Sequence, residues 1–409
     1  MSSLQPTPRP PWMLSLHALI DPQWIRMEAD ALLEEASTRT GLTDFGDETF
    51  LEPYRIFVRA CEEEAQLHPL GRLMMRTDLM NWLENRLQLT AARKQHPEIA
   101  AQEIDAPVFI TGLPRTGTSI LHELLACDPA VRAPQHWEVR HPCPAPETRD
   151  YASDARIERA DREVQLWNEI CPEYSSMHEL GGPIPVECIQ ITAHEFRSDE
   201  LLGRAQVPSY GEWLAEADLR PAYRFHRAFL QHLQWRCPGR WVLKAPSHLA
   251  VLASLFAVYP DARVIWTHRD PLKVIPSVAS ILYATARIRS DAVDPDSVLA
   301  WFTGETCRAS LDAARTFRES GAVSEKQFHD VRYADLIQDP IGTIRAAYRH
   351  FGLEFAGNAE QAMRSYLANK PKGKYGAHRY GFTETGLDAV GERKRFADYQ
   401  KDYGVASEI

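Results

Sequence analysis

The sequence predicts an α/β protein: three layers around a central parallel sheet, with a helical region ahead of the sheet and a helical insertion within it. Three observations carry this. Val108 to Leu125, VFITGLPRTGTSILHELL, passes from an apolar run (Val108, Phe109, Ile110) through a loop holding Gly112, Pro114, Arg115 and Gly117. It then enters a helical pattern marked by Ile120, Leu121, Leu124 and Leu125. Arg263 to Leu282, RVIWTHRDPLKVIPSVASIL, repeats the scheme: a β-rich run over Arg263 to Thr267, then a helix starting at Asp270-Pro271. Between them, Trp241 to Leu243 reads as a strand and His248 to Ala257 as a helix. Strands and helices that alternate in this way form parallel sheets covered on both faces.

The remaining elements follow from local patterns. Residues 1–104 form the helical N-terminal region, with helices over Ala31 to Ser37, Tyr54 to Glu64 and Leu70 to Leu89. The plain reading is a packing appendage; the sharper one is a dimerisation or acceptor-gating element. Residues 105–409 form the α/β domain. Within it, residues 140–149 (RHPCPAPETR) are a proline-rich turn, and residues 151–236 are a helical insertion rich in Trp167, Met177, Tyr210, Trp213, Tyr223 and Trp235. Residues 334–352 read as helix, and 370–403 as irregular and basic.

Composition sets the boundaries. The chain has 409 residues, 44% hydrophobic and 25% charged, as an ordinary soluble protein does. Its net charge of −10 argues against a general nucleic-acid binder, so an anionic ligand must be met by locally clustered cations. MSSLQPTPRPPW has no apolar core of a signal peptide, and no apolar run approaches the ~18 residues of a membrane span. Seven scattered cysteines without a C-x-x-C pair suit a reducing compartment, and a cytoplasmic location is expected. His136, Glu138 and His141 cluster in QHWEVRH but lack metal-ligand spacing, so no metal is expected.

The glycine loop is the first functional signal. A strand, a glycine loop and a helix present free backbone N–H groups and a positive helix end to one point, which is how a fold holds a phosphate. Gly112 and Gly117 have the spacing of a Walker A loop, but Thr118 stands where its lysine would be, and Arg115 is the loop's one cation. The loop is therefore suited to a phosphate but not to an ordinary ATPase or GTPase. Arg269, at a strand's end beside a helix start, is placed for a second phosphate. Ser277 lies about two turns into that helix, on one face with Val274 and Ile281.

Together these segments resemble the sulfotransferase superfamily, whose donor is 3′-phosphoadenosine-5′-phosphosulfate (PAPS). The first looks like that family's 5′-phosphosulfate loop in its P-R-[ST]-G-T-[ST] form, and the second like its 3′-phosphate motif, R-[DN]-P followed by a serine. Trp241 to His248, WVLKAPSH, is similar to the family's K-x-P segment, and Val331 to Pro340, VRYADLIQDP, to its Y-x-D-L-x-x-D-P segment. The motifs are nearest to bacterial and tyrosylprotein sulfotransferases. The resemblance implies a P-loop-type fold and a PAPS-dependent sulfotransferase. Thr116, Gly117, Thr118 and Ser119 would hold the 5′-phosphate with Arg115, and Arg269 and Ser277 the 3′-phosphate. Tyr333 would lie near the nucleotide. Lys370, Lys372, Gly373, Lys374, His378 and Arg379 loosely match a late R-K-G stretch that cytosolic members place on the 3′-phosphate.

In-line transfer of a sulfuryl group needs positioning, charge offset on the leaving oxygens and a base for the acceptor hydroxyl, and it needs no metal. Arg115 and Lys244 are expected to offset charge; Lys244 matches a family lysine that assists the transition state. Glu138, in W-E-V-R, is the first expectation for the base, by likeness to a tyrosylprotein sulfotransferase glutamate in an E-x-R context. That match requires two inserted residues. His248 is the rival, followed by His136 and His141. The expected acceptor is a hydroxyl, less readily an amine, of a small molecule, lipid or sugar, taken up by a monomer or homodimer. A kinase-like or NTPase-like enzyme and a non-catalytic nucleotide-binding protein are the alternatives.

Overall fold

The computed structural model describes residues 7–370 and 381–409. Five parallel strands form one sheet in the order β2-β3-β1-β4-β5: β1 Val108–Gly112, β2 Val131–Arg132, β3 Arg240–Lys244, β4 Arg263–His268 and β5 Phe328–Arg332. In register, Phe109 lies beside Leu243 on one flank and Val264 on the other.

Alternation along the strands splits the core in two. Phe109, Leu243, Val264 and Trp266 pack on one face with Leu255, Val274 and Leu311 from helices Leu252–Val258, Pro271–Arg287 and Gly304–Glu319. Val108, Ile110, Val242 and Ile265 pack on the other with Leu121, Leu124 and Ile344 from helices Thr118–Leu125 and Pro340–His350. Both faces are covered, which gives the expected three-layer α/β/α arrangement.

The sequence reading missed the two edge strands. β2 is two residues long, and β5 buries only Phe328 and Val331 among His329, Asp330 and Arg332, as an edge strand does. The stretch read as a helix from His248 begins as 3-10 turns over Pro246–Val251 and becomes α-helical at Leu252. Within 370–403, helices Ala389–Arg395 and Ala397–Asp402 replace part of the expected irregular segment. Lys372, Gly373, Lys374, His378 and Arg379 lie outside the described residues.

The helices Ala29–Thr40, Leu51–Glu63 and Pro69–Gln95 share one apolar core with the insertion. Phe50, Tyr54, Phe57 and Trp82 surround Phe196, and Tyr210 stacks edge-on against Phe57 at 5.2 Å. The N-terminal helices and the insertion thus form a single helical wall beside the sheet. Among the described residues no helix is long and apolar enough to cross a membrane.

Candidate active site

The C-terminal ends of three adjacent strands, β3, β1 and β4, converge on one point, where open α/β sheets place their ligands. β1 delivers the glycine loop, β3 ends on Lys244, and Arg269 directly follows β4. The loop is tight. Gly117 has φ +93°, and a Cβ there would come within 2.8 Å of Leu336 Cδ2 and 3.1 Å of Tyr333 Cδ2. Arg115 adopts φ +66°, a left-handed backbone that costs a non-glycine residue on the order of 1–3 kcal/mol and persists only where contacts hold it. Those contacts are present: Arg115 Nε donates to Ser277 Oγ at 3.2 Å, Nη1 to the Met177 carbonyl at 2.8 Å, and its own carbonyl accepts from Arg269 Nη1 at 2.9 Å. The Arg269 guanidinium lies over the Tyr333 ring, 3.9 Å from its centroid.

Five of the sequence-predicted residues, Arg115, Gly117, Arg269, Ser277 and Tyr333, therefore meet in one cluster, although they come from three segments of the chain. Thr118 and Ser119 open helix Thr118–Leu125, and both line the cavity described below. Thr116 is buried and turned away: its hydroxyl bonds the Leu113 carbonyl and Thr267 Oγ1, both at 2.6 Å, and so clamps the loop to β4. Its side chain locks the loop's shape and does not line the cavity.

Lys244 is buried, with Nζ 2.5 Å from Glu187 Oε1 and 3.3 Å from Ser119 Oγ. Glu187 was not anticipated. It precedes helix Cys188–Thr192, and the backbone just before it is pinned to the segment after β2: Val186 N donates to the Pro134 carbonyl at 2.8 Å, and His136 N to the Ile184 carbonyl at 3.0 Å. Burial alone would raise the Glu187 carboxyl, but Lys244 and His178 outweigh it and hold it below its ordinary range. Burial, helped by Lys244, pushes His178 down to about 4, so that ring is neutral at neutral pH.

Glu138 is elsewhere. It is fully buried, ion-paired to Arg132, and accepts from Gln135 N at 3.0 Å and from the Tyr151 hydroxyl at 2.9 Å. It is the return partner of Gln135 in a helix cap. It does not line the cavity, and both of its oxygens are engaged. The expectation of a base at Glu138 meets a carboxylate that secures the turn bridged to Glu187's segment. His248 does line the cavity; its Nδ1 is 2.6 Å from the Tyr223 hydroxyl, its Nε2 has no hydrogen-bond partner, and burial holds it well below its usual range. His136 also lines the cavity, and burial takes it to about 4. His141 is bound to Glu163 at 3.0 Å.

One cavity of about 1030 Å³ joins the glycine loop, Arg269, Glu187, His136 and His248. Its lining includes Arg115, Thr118, Ser119, Arg269 and Tyr333, then Glu187 and His248, and a chamber of apolar side chains, Trp167, Tyr174, Leu214, Leu282, Trp301 and Phe302, with the charged Asp78, Arg140, Glu163 and Arg204 also on its wall. On the cavity wall, buried Asp78 accepts from Arg140 at 3.1 Å, Arg204 at 2.6 Å and Arg289 at 2.8 Å, and the three guanidiniums hold its carboxyl far below the usual range against burial. This network ties the N-terminal helix Pro69–Gln95 to the insertion and to helix Pro271–Arg287 and its C-terminal end.

Comparison with known proteins identifies the family. Residues 107–357 match the sulfotransferase family. The chain is 30% identical over 280 residues, 65% of its own length and 67% of the relative's, to omega-hydroxy-beta-dihydromenaquinone-9 sulfotransferase Stf3 of Mycobacterium tuberculosis, and equally to that of Mycobacterium bovis. Among solved structures it resembles sulfotransferase STF1 of Mycobacterium tuberculosis, with TM-score 0.78 and 34% identity over 91% of this chain and 98% of that one. It also resembles sulfotransferase STF9 of Mycobacterium avium, with TM-score 0.84 and 27% identity over 94% and 98%. A phosphate loop without the Walker lysine, a buried lysine at the adjacent strand end and this match over most of the α/β domain place the chain in the sulfotransferase family.

Proposed function

We propose that the protein moves the sulfuryl group of PAPS to a hydroxyl on a largely apolar, lipid-like acceptor, without a metal. The observation that carries this is a single cavity lined both by the phosphate loop and by a set of aromatic and aliphatic side chains. A donor seated on the loop would present its sulfuryl group toward Lys244 and Glu187, and an acceptor filling the chamber would present a hydroxyl from the other side.

In this reading the N–H groups at the start of helix Thr118–Leu125, with Ser119, receive the 5′-phosphate. Arg115 and Lys244 offset the charge that grows on the leaving oxygens as the S–O bond to the phosphate breaks. Glu187 accepts the acceptor hydroxyl's proton as the new S–O bond forms. Its support is position and charge: it lines the cavity, touches Lys244 and is held ionised. Arg269, stacked on Tyr333, receives the 3′-phosphate, and Ser277 steadies Arg115. His248 is a second candidate base, favoured by its unpartnered Nε2.

The acceptor class is inferred from the chamber's aromatic and aliphatic walls and from the ω-hydroxylated quinone named for Stf3. The test is an assay with radiolabelled PAPS against a terminally hydroxylated isoprenoid quinone, its non-hydroxylated parent and a small phenol, with EDTA present. Label on the hydroxylated lipid alone supports the reading. No transfer to it, with transfer to the phenol, would reassign the acceptor.

A further inference from the structure

At the expected 3′-phosphate position, Arg269 already grips an acidic side chain of the same chain. Its Nε and Nη2 each donate to one carboxylate oxygen of Glu408, both at 2.7 Å. The forked pairing of guanidinium with carboxylate is the same geometry in which arginine takes a phosphate. The pair is only partly shielded, with side-chain exposures of 12% for Arg269 and 31% for Glu408.

Glu408 is brought there by its backbone. Its N–H donates to Asp270 Oδ2 at 2.7 Å. Asp270, fully buried, also caps helix Pro271–Arg287 through Leu272 N at 3.1 Å and takes a fork from Arg393 at 2.7 and 3.0 Å. Arg393 Nη2 donates in turn to the Ile409 carbonyl at 3.0 Å, and Val405 N donates to the Gln400 carbonyl at 2.8 Å. The segment 405–409 is thus tied down on both sides of Glu408, and the Glu408 side chain is the part that reaches Arg269.

We propose that Glu408 is an affinity-setting residue, a built-in competitor for the donor's 3′-phosphate. The proposal rests on the donor reading above. A 3′-phosphorylated nucleotide must break the Arg269–Glu408 fork before Arg269 can pair with it, so its affinity is reduced by the strength of that fork. A nucleotide without the 3′-phosphate leaves the fork in place and is unaffected. The product 3′-phosphoadenosine-5′-phosphate keeps the 3′-phosphate after transfer. Because the backbone anchor at Asp270 holds Glu408 beside Arg269, the carboxylate can retake the guanidinium and speed product release.

The test is calorimetric titration of the full chain, Glu408→Gln and Glu408→Ala with 3′-phosphoadenosine-5′-phosphate and with adenosine-5′-phosphate, at low salt and without metal. The backbone bond from residue 408 to Asp270 is available in both variants. Both are expected to bind the 3′-phosphorylated product up to about fivefold more tightly, in line with a partly exposed ion pair, and to leave adenosine-5′-phosphate unchanged. The product's dissociation rate should slow by a similar factor. Unchanged or weaker binding in the variants, or equal changes for both nucleotides, overturns the role of Glu408 while the donor reading stands. If the unsubstituted chain does not distinguish the two nucleotides, the donor reading falls and the role of Glu408 with it.

Discussion

The phosphate-loop end of the cavity stands on three neighbouring parallel strands, whereas the apolar end stands on helices from well-separated stretches of the chain. At the first end the working groups are fixed by backbone: a left-handed Arg115, a glycine with no room for a Cβ, and cations set at strand ends. At the second they are side chains such as Trp167, Leu214 and Trp301, whose volumes define the chamber. A site built from backbone is tied to one ligand geometry, while a site built from side-chain volume changes its ligand when those volumes change. Donor chemistry and acceptor choice should therefore respond to separate sets of substitutions.

The sharpest way to break this division is at the junction of the two ends. Glu187→Gln is expected to lower kcat by about 10²–10⁴-fold with little change in nucleotide affinity. Glu138→Gln is expected to act on stability instead, since removing one partner of its buried pair with Arg132 costs about 3–5 kcal/mol, read as a fall in Tm. Turnover per folded molecule should stay within about tenfold of the unsubstituted chain. If Glu138→Gln lowers turnover and Glu187→Gln only lowers Tm, the two roles are reversed.

At the phosphate-loop end, Arg269→Ala should weaken 3′-phosphoadenosine-5′-phosphate by about 10–100-fold, the range for hydrogen bonds to a charged group, and spare adenosine-5′-phosphate. Equal losses for both would move the 3′-phosphate away from Arg269.

At the acceptor end, a Cβ on Gly211 would meet Trp301 Cη2 at 2.0 Å, so Gly211→Ala must displace that wall of the chamber. The expected result is an acceptor KM raised by about tenfold, the low end of what a methylene-sized change costs in an apolar pocket, with nucleotide affinity intact. A matching loss of nucleotide affinity would mean that the two ends are not separate.

The smallest effect concerns pH. Lys244 and His178 together hold the Glu187 carboxyl below its ordinary value of 4.5, so its base form persists as pH falls and is lost only below that value. The acid limb of kcat should therefore lie below that pH. A limb near 6 would point to a different base.

The geometry of the phosphate-loop end was largely legible in the sequence because its groups sit on contiguous strand–loop–helix runs, where adjacent residues dictate backbone geometry. Arg115, Gly117, Arg269 and Ser277 could be placed from VFITGLPRTG and THRDPLKVIPS alone, as could Lys244 at the end of an apolar run. Glu187 could not, because its meeting with Lys244 spans 57 residues and depends on backbone pairing between 134–136 and 184–186. Glu138 drew attention through its W-E-V-R setting, yet the Q-x-x-E spacing from Gln135 already carried the cap pattern that the structure realises. The chamber was hidden for a similar reason: Trp167, Tyr210 and Trp213 read alike as aromatic residues, while only Trp167 lines the cavity and Tyr210 fills the helical core. The Arg269–Glu408 fork, across 139 residues, had no signal in the sequence.

The most direct test of the central claim, a 3′-phosphorylated nucleotide donor seated on the loop without a metal, is calorimetric titration of the full chain with 3′-phosphoadenosine-5′-phosphate. Adenosine-5′-phosphate and ATP serve as controls, each with EDTA and with Mg²⁺. The account predicts binding that requires the 3′-phosphate and is the same in both conditions. Binding of ATP in preference, and only with Mg²⁺, would contradict it.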